Sequence, residues 1–90
     1  MKYKNIKNTG GRTPPAGYTS WLDYYMKKNG LRSTPSCGRL YCGDSAEVGA
    51  HVKKVNSTDN SWYIVPLCSG CNKLDDEFEL KSEVRPVPVN

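Results

Sequence analysis

Two cysteine pairs, Cys37-x4-Cys42 and Cys68-x2-Cys71, constrain this chain more than any other feature of it. The chain has 90 residues, of which 37% are hydrophobic, and a single phenylalanine. A domain this small and polar buries too little apolar surface to be secure on its core alone. Such a chain needs a staple, and four cysteines supply either two disulfides or one metal site. No apolar run is long enough to span a membrane. The opening MKYKNIKNTGGR is basic and polar with no apolar stretch behind it, unlike a secretory signal. The expected compartment is therefore the cytoplasm, where thiols stay reduced and metal is favoured over disulfides.

Zinc takes four soft donors in a tetrahedron, and a short cysteine pair lets a tight turn aim two thiolates at one ion. Cys37, Cys42, Cys68 and Cys71 are thus the expected ligands of a structural Zn2+. The second pair stands at a helix entrance, where backbone N–H groups and the helix dipole stabilise thiolates. Zinc bound this way contributes roughly 10 kcal/mol or more to folding at neutral pH. The metal-free chain is therefore expected to be largely unfolded from Cys37 onward.

Along the chain, residues 1–17 are rich in Lys, Asn and Gly and close on Thr13-Pro14-Pro15-Ala16-Gly17. They read as a flexible basic arm. Residues 18–90 read as one domain. Ser20 is an N-cap candidate for a helix over about 20–29, with Asp23 three residues on, Lys27 and Lys28 in the last turn, and Asn29-Gly30 as its stop. Val48, Ala50 and Val52 alternate with Gly49, His51 and Lys53 as in a strand, and SWYIVPL reads as its hairpin partner across the turn NSTDN. CSGCNKLDDEFEL then reads as a helix with Leu74 and Phe78 inward, followed by an extended, Pro-alternating tail over 81–90.

Hairpin, Cys-x2-Cys and helix, with a histidine on the first strand, resemble the ββα-metal unit of the four-cysteine HNH endonucleases over about residues 36–80. The resemblance implies an α+β fold in which a zinc-stabilised treble-clef unit follows one helix and the arm. It also implies that the four cysteines hold zinc and that His51 is the general base that activates water. Asn72, after the last cysteine, would be a ligand of a second, catalytic divalent ion. The chemistry suits phosphodiester hydrolysis, which wants a base near neutral pKa and a cation on the phosphate oxygens. Two positions lack the family's residue, and a third is altered, since Asn72 stands where the family commonly carries His. Ala50 stands where the family carries a metal-binding His or Asp, and Tyr63 stands where it carries the Asn that orients the base.

His51 therefore has two readings, a catalytic base or a structural imidazole packed in the hairpin. Trp21, Leu22, Tyr25 and Met26 read as a core-facing stripe, and Trp62 and Tyr63 as hairpin packing. Charge is unevenly spread: residues 1–55 hold ten Lys or Arg against three Asp or Glu, and residues 56–90 three against six. The basic half offers Lys2, Lys4, Lys7, Arg12, Lys27, Lys28, Arg32, Lys53 and Lys54 to an anionic partner. The acidic stretch NKLDDEFEL would repel the phosphates that the family's helix meets. Two functions follow: a zinc module that binds nucleic acid or a protein without catalysis, and a metal-dependent HNH-type DNA endonuclease.

Overall fold

The computed structural model describes Met1–Val89; Asn90, the last residue of the expected tail, lies outside the described residues. Seven elements follow in order: β1 (Lys2–Asn5), α1 (Trp21–Lys28), β2 (Val48–Lys54), β3 (Trp62–Leu67), α2 (Ser69–Asn72), β4 (Phe78–Glu79) and β5 (Val87–Val89). The strands make one antiparallel sheet in the order β4-β1-β2-β3-β5. The fold is α+β.

The β2–β3 hairpin is the centre of the sheet, with Ala50 opposite Val65, His51 opposite Ile64 and Val52 opposite Tyr63. Because side chains alternate along a strand, the register sorts the sheet into two faces. Tyr3, Ala50, Val52, Val65, Leu67 and Phe78 pack with Cys37, Cys68 and Cys71 on one face. On the other face Tyr25 of α1 packs with Ile64, Val87 and Val89. The central strands are thus covered on both sides, which is why Ala50, His51 and Val52 are buried in succession. Strand periodicity in the sequence finds the strand but not this double burial.

Helix α1 has the expected start: Ser20 Oγ accepts from Asp23 N at 2.9 Å, and the Asp23 carboxylate accepts from Thr19 N at 3.0 Å. Its first turn presses directly on β2 at Gly49. A Cβ there would stand 2.3 Å from the Trp21 carbonyl carbon and 2.5 Å from Leu22 N, so only glycine fits. Pro66 is tolerated in β3 because β5 pairs only with Trp62, Tyr63 and Ile64. Beyond them the Pro66 carbonyl accepts from Gly38 N at 2.7 Å, on the side away from β2.

Two expectations are corrected and a third is made specific. Residues 1–17 do not begin as a flexible arm, because Lys2–Asn5 is a strand between β4 and β2, with Tyr3 buried against Phe78. The helix expected from Cys68 to Leu80 is one turn, Ser69–Asn72. The Asn5 side chain donates to the Cys71 and Leu74 carbonyls at 3.0 Å each, closing that turn, and Phe78 enters β4 instead of a helix face. The tail, finally, supplies the sheet's edge strand β5, with Val87 and Val89 buried and Pro88 turned outward. Among the described residues, no helix is long and apolar enough to cross a membrane.

Candidate metal centre and the histidine cavity

Cys37 and Cys42 lie on a tight turn that precedes the hairpin. Cys37 N donates to Asp44 O at 2.7 Å and Cys42 N to Arg39 O at 3.1 Å, folding the segment into a knuckle. Tyr41 closes it in the left-handed region, at φ 71°, with its ring almost wholly exposed. Cys68 caps α2, and its Sγ accepts from Cys71 N at 3.4 Å. The hairpin carries the second pair under the knuckle, and all four sulfurs lie within 4.8 Å of one another. Cys42 Sγ and Cys68 Sγ are 3.9 Å apart. A tetrahedron of sulfurs at about 2.3 Å from zinc has edges of ~3.8 Å, so four donors can close on one ion with small rotations. All four are free thiols.

Burial and crowding shape the acidity of thiols in the cluster. Burial pushes the Cys37 and Cys71 thiols up, and for Cys71 the neighbouring sulfurs add to the shift. The Asp44 backbone N–H holds Cys42 below the usual range. Crowded sulfurs resist ionising together, and a bound divalent cation reverses that preference by favouring every thiolate at once.

Side chains outside the sequence motif brace the centre. Lys81 Nζ donates to Cys42 O at 2.7 Å and to Ser36 Oγ at 3.3 Å. Glu47 accepts from Ser69 N at 3.0 Å through Oε1, tying β2 to the start of α2. Asn5 does the same at the other end of that turn. None of the three carries a local signal in the sequence, since each reaches its partner across 22 to 69 positions.

His51 is on the opposite face of β2 from Ala50 and the sulfurs. It is only 4% exposed, with its Nε2 buried and unpartnered. Trp21 meets the ring edge-on at 4.7 Å between centroids and Trp62 at 6.2 Å. Burial, and then the charge of Arg12, hold its pKa below the ordinary imidazole value. A cavity of about 270 Å3 is lined by His51 and Asn72, together with Arg12, Ser20, Trp21 and Glu47 among others. The two residues expected as base and ligand are therefore brought to one cavity. Tyr63 is on the other face, its hydroxyl donating to the Asp59 carboxylate and its ring under Lys54 Nζ at 5.0 Å. Among the described residues, the four cysteines are the one group of three or more His, Cys, Asp or Glu donors that can hold a metal ion. No family model, curated protein or solved structure matches this chain.

Proposed function

We propose that the chain is a zinc-stapled module of treble-clef, HNH-like type that binds nucleic acid without cleaving it. The observation that carries this reading is the single donor cluster: four cysteine sulfurs within 4.8 Å of one another, with His51 outside it. Four thiolates saturate a zinc ion and leave no open position for water, which makes such a site structural rather than catalytic. Zinc suits it better than harder divalent ions, which select oxygen donors. The reducing conditions that keep such thiols free are those of the cytoplasm.

The surroundings of His51 support the non-catalytic part. A second, catalytic cation would have to sit beside Arg12, whose charge already disfavours a proton on the imidazole. Ala50 offers no ligand and points to the other face of β2. The endonuclease reading keeps one observation in its favour, that His51 and Asn72 line the same cavity with Glu47. In that reading His51 would take the proton of the attacking water and Asn72 and Glu47 would hold the ion.

A nicking assay on supercoiled plasmid separates the two, run with Mg2+, Mn2+, Ni2+ or no added metal on the wild type and on His51→Ala. The binding-module reading expects no cleavage by either protein under any metal. Metal-dependent nicking that disappears in His51→Ala would establish the nuclease instead.

A further inference from the structure

The surface that would meet nucleic acid can be named from the register. On the α1 side of the sheet, Lys4 of β1 pairs with Lys53 of β2, and Lys53 pairs in turn with Trp62 of β3. Trp62 pairs with Val89 of β5. Cross-strand partners share a face, so Lys4, Lys53 and Trp62 stand in one row across three adjacent strands. The Arg12 guanidinium lies over the Trp62 ring at 4.9 Å from its centroid. From β5 the row reaches α1, which packs on the same face over β2 and β3. Tyr24 donates through its hydroxyl to Pro88 O, and Lys28 Nζ is 5.6 Å from the centre of the Tyr24 ring.

The row sets cations beside aromatic rings and faces solvent, with Lys53, Arg12 and Lys28 exposed and Lys4, Trp62 and Tyr24 half-exposed. No carboxylate neutralises its cations among the described residues. The ion pairs of the described residues engage Lys7, Lys27 and Lys54, leaving Lys4, Arg12, Lys28 and Lys53 without one. Glu79, opposite Lys2, bounds the row at the β4 edge. A shallow cavity of about 270 Å3 beside Trp62 is lined by Arg12, Asn60, Ser61 and Val89, which puts hydrogen-bonding groups next to a stacking ring.

From this juxtaposition we infer that the row Lys4–Lys53–Arg12/Trp62–Tyr24/Lys28 is a track for single-stranded nucleic acid, on the face of the sheet away from the cysteine cluster. Lysines along such a row neutralise successive phosphates, and Trp62 and Tyr24 supply the ring faces on which unpaired bases stack. An acidic protein would satisfy the cations but would have no use for rings interleaved with them. A duplex would offer phosphates but keeps its base faces stacked inside. This inference rests on the reading of the chain as a nucleic-acid-binding module and gives that reading a location and a strand preference.

The test is fluorescence anisotropy of the metal-loaded full chain with labelled oligothymidylate and oligouridylate of about 16 nucleotides, the upper site size of a small single-strand-binding fold. A duplex of the same length, and competition by polyglutamate, are measured alongside. Lys4→Glu, Lys53→Glu and Trp62→Leu are compared with Lys73→Glu, which makes the same charge change away from the row. Circular dichroism and metal content confirm folding of each variant. The expected result is binding to single strands in preference to duplex, weakened at least tenfold by Lys53→Glu and far less by Lys73→Glu. Each lysine in the row contributes about 0.7 to the slope of log affinity against log salt, so Lys53→Glu flattens that slope by about that amount. Binding that Lys4→Glu and Lys53→Glu leave unchanged, or that Lys73→Glu weakens equally, overturns the track while leaving a nucleic-acid module. Preference for duplex overturns the strand assignment, and displacement by polyglutamate as effective as by oligonucleotide makes the partner an acidic protein. No binding to any nucleic acid by the wild type overturns the proposed function itself.

Discussion

Single residues decide how tightly the two faces of the sheet can be covered. Gly49 is the clearest case, because its missing Cβ would fall 2.3–2.5 Å from α1 backbone atoms, which cannot rotate away as a side chain can. Gly49→Ala should therefore cost about 2 kcal/mol or more through forced displacement of the helix. Gly70, with nothing within 4 Å of its virtual Cβ, should accept alanine at little cost. Urea unfolding of the two metal-loaded variants checks the contrast, and equal midpoints would contradict it. Tyr41 is the converse case, a side chain held at φ 71° with nearly its whole ring in solvent. Tyr41→Gly should stabilise the knuckle by up to about 1 kcal/mol, since glycine adopts that conformation without steric penalty. A loss of stability in the same unfolding measurement would mean that the ring packs on something.

His51 makes a prediction in pH. Its folded pKa lies below the ordinary value, so the folded chain binds a proton there less readily than the unfolded chain. Its contribution is fully present above about pH 6.5, the unfolded imidazole value, and is lost as pH falls through that value toward the folded one. The stability difference between wild type and His51→Leu should therefore shift toward the mutant as pH is lowered from 7 to 5. Parallel pH profiles for the two proteins would show that the imidazole is not held neutral by burial. Metal release affects both proteins in the same direction, so the difference isolates the histidine.

Among elements, what the sequence makes legible is what forms by local rules. Helix α1 is announced by Ser20, Asp23 and the closing lysines, and its cap bonds form as those residues suggest. Ser20→Ala should accordingly cost about 1 kcal/mol of stability, measured by thermal unfolding. The β2–β3 hairpin is legible from alternation and from the Asn/Ser/Asp turn, in which Asp59 accepts from Ser61 N at 2.9 Å. Strands β1, β4 and β5 are not legible in this way. They span two to four residues each and are strands only because distant partners complete their hydrogen bonds. The expected final helix failed for the same reason. Leu74 and Phe78 have helical spacing, but Tyr3 and Asn5 of β1 claim Phe78 and the Cys71 and Leu74 carbonyls respectively. Nonlocal pairing overrides propensity there. The cysteine cluster was legible because cysteine spacing encodes a turn and a donor set together, whereas Lys81, Glu47 and Asn5 act from far along the chain.

At the scale of the whole molecule, the cysteine cluster joins three parts that hold together poorly alone: the knuckle, the hairpin and the one-turn helix. The core around it is small, with Cys37, Cys68 and Cys71 themselves among its buried members. Without an ion those sulfurs are crowded, and Cys37, Cys68 and Cys71 are buried with no partner of opposite charge. If these thiols hold zinc as proposed, one ion on Cys37, Cys42, Cys68 and Cys71 is what keeps this sheet assembled. The most direct test is a chelator titration of the purified protein, following zinc release and far-ultraviolet circular dichroism in the same samples. The expected result is one zinc per chain and loss of the folded spectrum in step with its release. A spectrum that persists unchanged after the zinc is gone would contradict it.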